Sequence, residues 1–157
     1  MIQAQAPQWL KEKYQIDLLK PNEMEMSCFL ILWPYFEKTV LCKHVQSASL
    51  GIIREAASIN ADRVEIIQKV KEWYIDNKAK DHLFHLFNFK SRQLKEKVQA
   101  YLDQRDVSSE CETIFVLAIM YQFRCNLFHG EKELGSIAKK YVDKFRCFNQ
   151  YLMTCLA

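Results

Sequence analysis

Hydrophobic residues recur along most of this chain at spacings of three and four, the pattern of helices that bury one face. Pro7, Trp9, Leu10, Tyr14 and Ile16 predict a short first helix with proline in its opening turn, and Pro21 ends the connection that follows. Asn22-Glu23-Met24-Glu25 reads as a cap with a Glu three residues on, opening a helix through Phe29, Leu30, Leu32, Trp33, Phe36, Val40 and Leu41. Pro34 lies inside that pattern and predicts a kink. From Lys43 to Ile59 the small residues and Gly51 fit either a weak helix or a loop.

Asp62-x-x-Glu65 is a second cap signature, and Val64, Ile67, Val70, Trp73 and Tyr74 carry a helix from about Ala61 to Asp76. His82 to Phe89 is apolar and aromatic without clear periodicity, consistent with a short helical turn over the core. Leu94, Val98, Tyr101 and Leu102 form one stripe of a surface helix. Ser109-Glu110-Cys111-Glu112 is an S-x-x-E capping box that opens the most apolar segment, Ile114 to Phe128, which should be the central helix. Gly130 and Gly135 suit a helix stop. A last helix sets Ile137, Tyr141, Phe145, Phe148 and Leu152 on one face, with Lys139, Lys140, Asp143 and Lys144 on the other. The expectation is an all-α single domain over residues 1–157, an antiparallel bundle of five or six helices with residues 1–20 as a candidate N-terminal appendage.

Composition narrows this picture. The chain has only three Gly and three Pro in 157 residues, too few for the frequent turns of a β-sandwich or meander, while 50% apolar content fills one core. The net charge of +3 names no partner. The longest uncharged runs, Met26 to Phe36 and Thr113 to Phe123, fall short of the roughly 18 residues that cross a bilayer, so no membrane partner is expected. Met1 to Leu10 shows no basic and apolar signal pattern, and the six cysteines lack any C-x-x-C pair. Both features favour reduced core thiols in a cytoplasmic protein.

The segment with chemical character is Phe123-Arg124-Cys125-Asn126-Leu127-Phe128-His129-Gly130-Glu131-Lys132. An Arg, an Asn and a His arrive together at the end of what should be the most buried helix. Buried polar groups without partners cost on the order of 1–3 kcal/mol each, so these groups should face a cleft or a partner. Imidazole, with an ordinary pKa of about 6.5, can take or give a proton near neutrality. Guanidinium stays charged and can hold two phosphate oxygens at once. Together they can supply proton transfer and stabilisation of an anion. Positions five apart on a helix differ by about 500°, which is ~140° beyond one turn, so Arg124 and His129 do not share one face of an unbroken helix.

Arg124, four intervening residues and His129, with Asn126-Leu127-Phe128-His129-Gly130 as its ending, resemble the R-x(4–6)-H motif of the HEPN superfamily, small helical bundles of which many are metal-independent ribonucleases. The resemblance implies two protomers packed so that both motifs line one interfacial cleft. It implies His129 as general acid/base, Arg124 on the scissile phosphate, and Asn126 and Cys125 in supporting positions. Cys125 stands where active members usually carry a polar residue. Glu131 stands where some toxin members carry a Tyr modified by their partner, so control by that route is not expected. A homodimer, an RNA substrate and an antitoxin protein are the partners implied, with no cofactor.

Other readings accompany these residues. Arg124 could pair with an acid such as Glu112 or Glu131, and His129 could bond the last helical carbonyls. Cys125 in the usually polar position fits a non-catalytic module of the same superfamily that binds nucleotide or a protein partner, and a coincidental motif would leave an unrelated helical adaptor. Lys132, Lys139 and Lys140 are candidate RNA contacts, and a second basic face holds Lys90, Arg92, Lys95 and Lys97. Asp81, His82 and His85 lack further ligands at helical spacing, so no metal site is expected.

Overall fold

A computed structural model describes residues 12, 17–43, 45–58, 61–77, 91–128 and 134–157. These residues form seven helices and no strand: α1 (Pro21–Phe36), α2 (Ala48–Glu55), α3 (Ala61–Asn77), α4 (Arg92–Leu102), α5 (Ser109–Phe128), α6 (Leu134–Lys140) and α7 (Val142–Leu156). The all-α expectation holds. The predicted first helix and the His82 to Phe89 turn lie outside the described residues, apart from Glu12.

Pro21, where the preceding connection ends, opens α1 at a position where its missing N–H costs nothing. Lys20, not Asn22, is the capping position, and the Glu23 carboxylate reaches back to accept the Asp17 N–H. Pro34 does not end α1; the helix runs past it and widens into a π-helical turn, Glu37–Leu41, closed by the Cys42 N–H on the Glu37 carbonyl at 2.7 Å. The ambiguous segment after Lys43 resolves into α2 and a 3₁₀ turn, Ala56–Ser58. Helix α2 crosses the π turn at Gly51, where a Cβ would lie 2.3 Å from the Leu41 carbonyl oxygen.

Ser91 caps α4 by accepting the Leu94 N–H. The helix closes through Gln104 at φ 57°, with the Arg105 N–H on the Ala100 carbonyl. Ser108, one residue earlier than predicted, caps α5: its Oγ accepts the Cys111 N–H at 3.3 Å. Glu112 therefore leaves the capping box and binds Lys71 (2.8 Å) and the Tyr101 hydroxyl (3.2 Å), tying α3 and α4 to α5. The predicted last helix is two helices that break at Tyr141, whose φ of −117° leaves the helical region. Gly135 stops nothing, since it lies in the first turn of α6.

Helix α5 is the centre of the molecule: every residue from Thr113 to Met120 is buried. Around it Phe29 meets Phe145 and Phe148 at 5.5 and 5.6 Å, and Phe123 meets Phe148 at 5.3 Å, an aromatic knot joining α1, α5 and α7. Buried Asn149 locks α7 to α1 by donating to the Glu25 carbonyl and carboxylate, both at 2.9 Å. None of the six cysteines is in a disulfide; Cys111 is buried and Cys42, Cys147 and Cys155 pack half-buried against the core, whereas Cys125 is half-buried beside Arg124 and Cys28 is exposed, so the core-thiol expectation fails for Cys28. No described helix is long and apolar enough to cross a membrane.

Candidate functional site

Arg124 projects from α5 within its last five residues, on the side facing the junction of α1 and the π turn. There Glu37 organises the surroundings. Trp33 and Glu37 stand four residues apart, so they share a face, and the indole Nε1–H donates to Glu37 Oε2 at 2.7 Å. The same oxygen lies 3.8 Å from Arg124 Nε, an ion-pair contact longer than a hydrogen bond. The two side chains are 31% and 26% exposed, so the pair sits at the protein surface with one edge in water.

Two further groups complete the cluster. Cys125 is half-buried, its Sγ 4.0 Å from Arg124 Nη1. The Tyr121 ring lies 6.1 Å from that of Trp33, one turn before Arg124 on α5. Burial pushes the Tyr121 phenol above its ordinary range, with Cys125 and Glu37 adding to the shift and the Arg124 cation opposing it. Tyr121 is therefore a neutral hydroxyl near pH 7.

Among the described residues Arg124 stands beside Glu37, and Glu112 is held by Lys71 and Tyr101 instead; Glu131 lies outside the described residues. Sequence spacing could not identify it, because the contact joins two elements far apart in the chain. The Trp33-Pro34-x-x-Glu37 pair, which spans the proline, was the available signal.

Of the other predicted site residues, Asn126 lies on α5, while its side chain, His129, Lys132 and Glu131 fall outside what is described. Lys139 and Lys140 are exposed at the end of α6. Lys140 Nζ stands 5.2 Å over the Tyr141 ring, which meets Phe123 edge-on at 5.2 Å, so this basic end neighbours the residue preceding Arg124.

The second basic face behaves differently. Arg92, Lys95, Glu96, Gln99 and Arg105 line an open depression of about 570 Å³. Arg92 pairs with Glu96 and Arg105 with Asp103, so the net positive charge there is small. Helix α4 packs against α5 near Cys111 and Phe115, nine residues or ~14 Å along the helix from Arg124. Among the described residues no three His, Cys, Asp or Glu side chains are placed to hold a metal ion.

No family model, curated protein or solved structure matches the chain.

Proposed function

We propose that this chain is a HEPN-like antiparallel helical bundle acting as a metal-independent endoribonuclease. In this reading two protomers bring their Arg124 to His129 segments to one cleft, His129 moves the proton, Arg124 stabilises charge on the scissile phosphate, and Asn126 orients the phosphate or a catalytic group. Lys132, Lys139 and Lys140 track the RNA backbone. The setting is a cytoplasmic toxin or phage-defence effector, restrained by an antitoxin protein.

The observation that carries this reading is Arg124 itself. A helix buried throughout its middle ends by presenting a guanidinium at the surface, beside a carboxylate that a buried tryptophan holds in place. That support orients the cation before any ligand arrives, and orientation is what phosphate recognition requires. The chemistry follows from the residue types: the 2′-OH loses a proton to one imidazole and attacks phosphorus, the P–O5′ bond breaks, and a second imidazole protonates the departing oxygen. The products carry a 2′,3′-cyclic phosphate and a 5′-OH. Cleavage of RNA by the purified chain in excess EDTA, lost in Arg124→Ala and His129→Ala, is the test.

The Glu37 contact also favours a second reading, in which Arg124 only fastens the π turn to α5 and the chain is a non-catalytic binding module. In that case Arg124→Ala lowers stability by about 1 kcal/mol or less, as for a partly exposed ion pair, and no cleavage is seen with any variant.

A further inference from the structure

The Arg124 guanidinium meets different groups at its different nitrogens. Its Nε faces the Glu37 carboxylate at 3.8 Å, whereas its Nη1 faces the Cys125 thiol at 4.0 Å. Tyr121, Arg124 and Cys125 fall within about 100° of arc on α5, so the three side chains share one face of the helix. The Tyr121 hydroxyl is hydrogen-bonded to the same thiol across one helical turn. Two strong donors, a guanidinium and a phenol, therefore converge on one sulfur atom. All three residues are half-buried, where α5 passes from its wholly buried middle to the surface.

Sulfur is a weak acceptor. The neighbouring donor is served otherwise, since the Trp33 indole N–H has a carboxylate oxygen at 2.7 Å. An oxyanion reaching Cys125 would offer both donors a charged oxygen in place of a thiol, and hydrogen bonds to ionised acceptors are roughly twice as strong as neutral ones. Burial keeps the phenol protonated into alkali, so Tyr121 meets such an anion as a donor and not as a second negative charge. Its ring stands 6.1 Å from that of buried Trp33, which sets the hydroxyl in place before any ligand arrives.

We propose that Tyr121 and Arg124 form one oxyanion site, the Tyr121 hydroxyl and the Arg124 Nη1 edge each donating to an oxygen of a single phosphate group. Donors that meet at one sulfur atom are close enough to hold two oxygens of one tetrahedral group. Naming an RNA phosphate as the natural occupant rests on the ribonuclease reading above; the convergence of the donors does not. Tyr121 is then a substrate-binding residue that the Arg124 to His129 segment does not contain.

The experiment is a titration of the full ¹⁵N-labelled chain with inorganic phosphate, at ionic strength held constant with chloride, reading the side-chain N–H resonances of Arg124 and Trp33. In wild type both should shift together with phosphate. Tyr121→Phe keeps the ring against Trp33, so it should keep the wild-type melt while the phosphate Kd rises about 10-fold, the loss of one hydrogen bond to a charged group. Cys125→Asp sets a carboxylate where the anion would sit and should abolish the shift, whereas Cys125→Ala, which removes the sulfur and adds no charge, should retain it. An Arg124 resonance that ignores phosphate, an unchanged Kd in folded Tyr121→Phe, wild-type binding in Cys125→Asp, or equal loss in Cys125→Ala overturns the proposal. The two readings fail separately: Tyr121-dependent phosphate binding by a chain that cuts no RNA keeps this site and defeats the ribonuclease, whereas RNA cleavage with KM unchanged in Tyr121→Phe leaves a ribonuclease that does not use this hydroxyl.

Discussion

Glu37 is asked to serve two partners at once, since one carboxylate oxygen accepts the Trp33 indole N–H and faces the Arg124 guanidinium. The hydrogen bond to a buried ring fixes where the acid stands. The acid then partly neutralises the cation, so in the proposed ribonuclease an incoming phosphate would compete with Glu37 for Arg124. Replacing Glu37 by Gln keeps an acceptor for the indole and removes the competing charge. Glu37→Gln should therefore bind RNA more tightly, with KM falling about 2- to 5-fold and kcat nearly unchanged, the range expected of a partly exposed ion pair. A KM that rises would mean that Glu37 acts chiefly by orienting Arg124. At this scale the sequence showed Arg124 through its abrupt arrival after an apolar run. It hid Glu37, whose role depends on two distant segments meeting and on a turn that local spacing does not specify.

Among the elements, helical spacing of apolar residues identified α3 and α4, and a capping-box signature with an unbroken apolar run identified α5, buried at every residue from Thr113 to Met120. It erred where a single residue decides an end. Ser108 and Ser109 are adjacent cap formers, and the choice went to Ser108, whose hydroxyl also donates to Asp106. The Ile137 to Leu152 face is continuous and buried, so nothing in its hydrophobic pattern marks the break at Tyr141. The α2 to π-turn crossing was equally invisible, yet it holds the turn that carries Glu37. At Gly51 an added methyl would meet the Leu41 carbonyl carbon and oxygen at 2.6 and 2.3 Å, and backbone cannot yield cheaply. Gly51→Ala should cost about 2–3 kcal/mol and lower Tm by roughly 5–10 °C, measured by calorimetry. An unchanged Tm would show that α2 does not rest on the turn.

Over the whole molecule, the interior holds several groups in their protonated forms. Burial pushes up the phenols of Tyr101 and Tyr121 and the thiols of Cys42 and Cys111, while its bond to Glu112 raises the Lys71 ammonium. All five shifts are upward, so in alkali the native chain keeps protons that the unfolded chain has released. Their contribution is complete below the unfolded thiol range near pH 8.5 and is lost as pH climbs through the raised values. Urea midpoints should stay level from pH 7 to 8 and fall steadily from pH 8.5 to 10.5; a midpoint that rises over that interval would contradict the assignment. The all-helical architecture was readable because few Gly and Pro and a dense apolar pattern leave little else. The proposed ribonuclease chemistry rests on the Arg124 to His129 segment, and its decisive measurement is the rate of RNA cleavage by the purified chain in excess EDTA. A ribonuclease of this kind should leave 2′,3′-cyclic phosphate termini, with rates at least about 100-fold lower in both Arg124→Ala and His129→Ala, the loss typical of a missing proton donor or phosphate cation. Cleavage at the wild-type rate by either variant, or none by the wild type, would contradict it.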